Sequence, residues 1–284
     1  MNRPATDVSF VSFTNGNSKK NAEAFCKWVS EREVKRSQII SFTMNETDLE
    51  EGDNILTVFY RDQPIAQNEL TFDDLKFHHF PQQRKWEDLT GKEAKSQMAG
   101  KDVVALIQTP KNIGSAHNQF LWYASGTNQA GLPTVKTLRR EDGNWTTLVD
   151  EMKQWLTQYV PPHMLCSVSL FEDAHPNEGK GINAAITHCA GATPVDLSEN
   201  EAAKGKDLYD MEVITGTGEW EDMFKEAQTL INKKGGQEGH MVASTNDSSN
   251  DGGVIIVLSW SSLLEGNLRE SVRPASCMDN CSIF

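Results

Sequence analysis

A run of strand, helix, strand, polar loop and strand near the start of the chain returns about 200 residues later, and this recurrence restricts the fold more than any other feature. Val8-Ser9-Phe10-Val11-Ser12-Phe13 alternates as a half-buried strand does. Asn15-Gly16 leads into a helical run over 18–33, where Ala22, Phe25, Cys26 and Val29 recur at helical spacing. Residues 38–44 and 55–60 read as two strands joined across an acidic, glycine-bearing loop, as in a hairpin. The C-terminal counterpart has a strand over 208–214, a Thr215-Gly216-Thr217-Gly218 turn and a helix over 219–233. Trp220, Phe224, Ala227, Gln228 and Ile231 carry that helix's period, and Gly235-Gly236 stops it. Strands over 240–245 and 254–260 complete it.

A middle copy is expected, with its first strand over 120–124, its helix over 145–159 and its paired strands over 164–170 and 182–188. Local likenesses support the alignment. Gln38-Ile39-Ile40, His163-Met164-Leu165 and His240-Met241-Val242 occupy equivalent places, as do Phe59-Tyr60, Thr187-His188 and Ser259-Trp260. The predicted class is α+β, with tandem β-α-β-β units at 1–62, 119–190 and 206–266. Residues 63–118 are expected to be an irregular insert with one strand, 191–205 a linker, and 267–284 a flexible tail.

Charge narrows the partners. The chain has 27 Lys and Arg against 40 Asp and Glu, a net charge of −13, which repels nucleic acid and anionic lipid headgroups. Seven Trp and twelve Phe in 284 residues suffice for one large or two modest cores. No apolar run reaches the ~20 residues a membrane span needs, and the start lacks a secretory signal's apolar stretch. The chain is therefore expected not to be secreted. Its five cysteines, Cys26, Cys166, Cys189, Cys277 and Cys281, read as reduced thiols, and the sequons at Asn45, Asn144 and Asn246 as unmodified.

Cys281-Ser282-Ile283-Phe284 fits the prenylation pattern of a cysteine, an aliphatic residue in the third place and a terminal residue, where Phe points to geranylgeranyl. One isoprenoid binds membranes weakly, and no basic cluster lies upstream, so Cys277 is the candidate for a second, acyl anchor. This predicts residence on the cytoplasmic face of a eukaryotic membrane.

A β-α-β-β unit is half of a ferredoxin-like sandwich. The stretch Val254-Ile255-Ile256-Val257-Leu258-Ser259-Trp260, with the preceding Glu238-Gly239-His240-Met241-Val242, resembles the antibiotic-biosynthesis-monooxygenase family of dimeric α+β barrel proteins. That resemblance implies facing antiparallel sheets forming α+β barrel-like halves and a homodimer as one mode of assembly. It also implies a lipophilic, aromatic or polyketide-like small molecule, no metal or cofactor, and a barrel-lining His as base. The long insert and the odd number of copies depart from the family pattern.

Other chemistry lacks support. Gly179-Lys180 is not a phosphate-binding loop, and Gly216-Thr217-Gly218 lacks the third glycine of a dinucleotide fingerprint and reads as a tight turn. No nucleophile elbow or zinc-binding spacing occurs. His240, His163 and His188 on predicted strands are the candidate catalytic bases, or else edge residues of no chemical role. Trp260 and Tyr60 are the candidate substrate-binding aromatics of a cavity between sheets, or else parts of a solid interior. Two functions follow: a cofactor-independent oxygenase or cyclase at a membrane face, or a non-catalytic prenylated binding or scaffold protein.

Overall fold

Alternate residues of a strand point to opposite faces, yet here both sets are apolar on the central strands. Leu56 and Val58 oppose Ile55 and Phe59 on one strand, and Val254, Ile256 and Leu258 oppose Ile255 and Val257 on another, all of them buried. Sheets built on such strands must be covered on both sides. The computed structural model describes residues 7–48, 53–63, 74–83, 101–108, 117–125, 134–175, 179–189, 196–234, 238–247, 252–261 and 268.

Four antiparallel sheets of three strands result. The first contains β1 (Val8–Phe13), β2 (Ile39–Asp48) and β3 (Asp53–Arg61). The second contains β4 (Lys76–Gln83), β5 (Lys101–Gln108) and β6 (His117–Ser125). β7 (Thr134–Arg140), β8 (Leu165–His175) and β9 (Gly179–His188) form the third. β10 (Asp210–Gly216), β11 (Glu238–Asp247) and β12 (Gly252–Ser261) form the fourth. In each sheet the third strand in chain order is central and the first and second are edges. Helices α1 (Ser18–Glu31), α2 (Trp145–Tyr159) and α3 (Trp220–Lys234) link first to second strands in the first, third and fourth sheets. Asn17 and Asn144 cap α1 and α2, accepting from the backbone N–H groups of Lys20 and Thr147.

The four cores connect the sheets in a closed cycle. Phe25 and Val29 of α1 pack between Leu56 and Val58 of the first sheet and Phe120 and Trp122 of the second. The second sheet's other face, with Phe80, Leu106 and Leu121, meets Phe171 and Ala185 of the third. Leu148, Met152 and Leu156 of α2 lie between Leu170 and Ile186 of the third sheet and Met241 and Ile256 of the fourth. Phe224, Ala227 and Ile231 of α3 close the cycle between Ile255 and Val257 of the fourth sheet and Ile55 and Phe59 of the first. Polar residues of α3 also fasten the outer edge of the first sheet: Val8 N donates to Asn232 Oδ1 at 2.8 Å, and Gln228 Nε2 donates to Val8 O at 2.8 Å.

At the opposite edges the second strands approach one another, β2 against β11 and β5 against β8. Hydroxyls bridge these seams. Ser41 Oγ donates to Val242 O at 2.8 Å, and Ser244 Oγ meets Thr43 Oγ1 and Asn45 Nδ2, each at 2.7 Å. Ser167 Oγ accepts from Leu106 N at 3.0 Å and lies 3.2 Å from Leu106 O.

Several expectations need correction. Residues 120–124 do not open the middle unit but sit at the centre of the second sheet, where Phe120 pairs with His79 and with Ile107. The first strand of the third sheet is β7, with Leu138 opposite Ala184. Its sequence, Thr-Val-Lys-Thr-Leu-Arg-Arg, has no apolar alternation to announce a strand. The one strand expected in the insert at 63–118 is present as β5, but the insert also holds β4 and the start of β6. Pro81 and the adjacent His78-His79 disguise β4, an edge strand, where proline is tolerated. Of the supposed linker, 196–205 contributes the buried Leu197 and Ala203 to the α2 core. Helices also stand where the resemblance implies bare sheet faces meeting, between the first and second, third and fourth, and fourth and first sheets. Their apolar stripes are wide enough to cover two sheets at once.

Candidate functional site

β11 presents Met241 and Ala243 to the core shared with the third sheet, so alternation turns His240, Val242 and Ser244 towards the first sheet. His240 is buried, and its Nδ1 lies 3.1 Å from Ser259 Oγ on the paired β12. An imidazole oriented by a hydroxyl can accept a proton, provided a substrate atom reaches it.

His188 ends β9 on the face that carries Ala184 and Ile186, towards α2. It is 1% exposed, its ring centroid is 5.3 Å from that of Trp155, and burial pushes its pKa down to about 4. It is neutral at physiological pH, and with so low a pKa it is a weak general base.

His163 is not on a strand. It belongs to the 3-10 turn Pro162–Met164 that precedes β8, and it is half-buried. Proline before and within this turn delays the strand, so His163 and His240 do not share a register position. The ladder instead aligns His240, opposite Ser259, with Ser167, opposite Thr187, and with Ser41, opposite Phe59. His188 and Trp260 do occupy matching places, opposite Leu165 and Gly239.

Half-buried Trp260 meets Tyr209 edge-on at 6.0 Å, and Tyr209 Oη donates to Val160 O at 2.7 Å. Half-buried Tyr60 meets Trp28 of α1 edge-on at 5.2 Å. His163 and His188 thus lie at one end of the third sheet, where Cys189 N donates to Met164 O at 2.8 Å. Trp260 borders the same α2 core, whereas His240 and Tyr60 face two others. Cys277 and Cys281 lie outside the described residues.

Aromatic rings pack closely in one of these cores. In the α1 core, Trp122 lies 5.2 Å from Phe25 and 5.1 Å from Phe42, ring to ring, and Phe77 adds a third contact at 5.3 Å. Among the described residues no three His, Cys, Asp or Glu side chains cluster to hold a metal ion, and no helix is long and apolar enough to cross a membrane.

One juxtaposition has no signature in the sequence. Cys166 and Cys189, 23 positions apart, place their Sγ atoms 3.4 Å from each other. Only the register of β8 on β9 could have revealed it. The seam of Thr43, Asn45 and Ser244 is equally hidden, because its partners are about 200 residues apart.

Comparison with protein-family models, with curated proteins and with solved structures gave no match.

Proposed function

We propose that this chain is a non-catalytic binding or scaffold protein, prenylated at Cys281 and held at the cytoplasmic face of a membrane. The observation that carries this reading is the dispersal of the candidate bases: His240 faces the first sheet, His188 packs on Trp155, and His163 sits in a turn. Catalysis needs its groups to converge on one reacting atom. The proposed anchor rests on the Cys281-Ser282-Ile283-Phe284 motif.

The proposed architecture has three ferredoxin-like modules, the first, third and fourth sheets each with its helix, and a second sheet that shares their strand order. Support comes from the strand order, in which the third strand divides the two that flank the helix, as in a split β-α-β unit. The likeness to antibiotic-biosynthesis monooxygenases rests on the same pattern and on the β11–β12 residues.

A second reading, a cofactor-independent oxygenase or cyclase for a lipophilic substrate, is favoured by the His240–Ser259 contact. Titration of the folded chain with an apolar aromatic dye separates the two. The non-catalytic reading expects no saturable dye binding that depends on His240. Stoichiometric binding abolished by His240→Leu, in a variant with unchanged circular dichroism, would transfer the case to the enzyme. For the anchor, protein from eukaryotic cells should carry an isoprenoid by intact mass and lose membrane association in Cys281→Ser; an unmodified Cys281 refutes it.

A further inference from the structure

We propose that Cys166 and Cys189 are an oxidisable dithiol, a reversible disulfide site whose oxidant is a low-molecular-weight disulfide of the glutathione class. No disulfide joins them, and their Sγ atoms are 3.4 Å apart. A disulfide bond is about 2.05 Å long, so closure asks for little more than an ångström of sulfur movement. The two segments are neighbours in the sheet. Cys166 is the extra residue in the register slip between Leu165 and Ser167, where a bulge redirects its side chain, and Cys189 follows the last residue of β9. The 2.8 Å bond from Cys189 N to Met164 O holds the two segments together on the other side.

Exposure sets the order of events. Cys166 is half-buried and Cys189 is buried, so the Cys166 thiolate is the group an external disulfide meets first. It attacks one sulfur of the glutathione disulfide, forming a protein–glutathione bond and releasing one glutathione thiolate. Cys189, deprotonated, then attacks Cys166 Sγ and expels the second glutathione. Two electrons pass from the protein thiols to the oxidant, the two thiol protons end on the glutathiones, and the product is one intramolecular disulfide. Cys26 provides an internal comparison: burial first, and Glu23 second, push its thiol up to about 11, and the structure gives it no thiol neighbour among the described residues.

The test uses the full-length folded protein, incubated with glutathione disulfide, quenched in acid, alkylated and digested. The expected product has lost two hydrogens, carries a peptide linked through Cys166 and Cys189, and returns to the dithiol with dithiothreitol. Cys166 should react at least about tenfold faster than Cys26. Cys189→Ser should halt at a glutathione adduct on Cys166, and the wild-type mapping stands by itself if that variant does not fold. Undiminished alkylation of both thiols would overturn the proposal. So would a lasting glutathione adduct on Cys166 in the wild type, or linkage of either thiol to Cys26, Cys277 or Cys281.

Discussion

Trp155 packs its ring against His188 at 5.3 Å, repeating in the third sheet the relationship of Trp28 to Tyr60, at 5.2 Å, in the first. Each Trp is the eleventh residue of its helix. Each partner stands near the end of its central strand, opposite the first residue of the second strand, Leu165 or Ile39. A histidine therefore occupies a slot that elsewhere holds an aromatic side chain, which accounts for its burial by packing.

This slot has a pH signature. In the unfolded chain the imidazole protonates near 6.5, whereas folded His188 stays neutral down to about 4. Between those values the unfolded state binds more protons, so stability is full above about 6.5 and falls as pH drops towards 4, by roughly 2 kcal/mol at pH 5. His188→Tyr, which copies the Tyr60 arrangement, should abolish that loss while holding stability at pH 7. Urea unfolding at pH 7 and pH 5 reads it; an equal acid loss in the variant would refute the buried neutral histidine.

Ser244 joins two sheets through Thr43 and Asn45, both at 2.7 Å and all three buried. Ser244→Ala should cost about 1–3 kcal/mol, because it deprives two buried polar groups of a partner at once. Adding Thr43→Val should cost less than that change costs alone, since the shared bond is already gone. Strict additivity in the four-variant cycle would mean the seam carries no coupling.

How much of this was legible beforehand depended on local pattern. The first and fourth sheets were readable because Phe10, Phe25 and Val58, or Phe224, Ile231 and Ile256, repeat at the periods of strand and helix. Two strands of the second sheet were readable as strands, but their union in one sheet was not, because the edge strand with Pro81 and paired histidines carries little periodicity and its one partner, β6, begins only at His117. Of the candidate site, the match of His188 with Trp260 could be read from strand ends, but which core each faced could not. Facing depends on single-residue register, and the bulge at Cys166 shifts β8 by one position against β9.

Trp122 tests the cycle of sheets. It belongs to the second sheet yet contacts Phe25 of α1 and Phe42 of β2 at 5.2 and 5.1 Å. Trp122→Ala should destabilise by about 3–5 kcal/mol and loosen the first sheet as well as the second. Hydrogen exchange should show faster opening in β3 as well as β6. Protection retained in β3 would indicate that the two sheets fold apart.

The glycines around β12 decide the Gly216-Thr217-Gly218 turn. A Cβ on Gly252 would strike the carbonyl oxygen of Gly216 and come within 3.3 Å of Thr217 Cα, and one on Gly253 would reach the Trp220 ring. A Cβ on Gly218 would meet open space. The turn before α3 thus owes its constraint to the strand passing beneath it, where backbone crosses backbone and nothing flexible can yield. Gly252→Ala should therefore cost about 1–3 kcal/mol, while Gly218→Ala should leave stability within about 0.5 kcal/mol. If thermal unfolding ranked them the other way, Gly218 would have a role that packing does not supply, and a ligand at the start of α3 would have to be considered again.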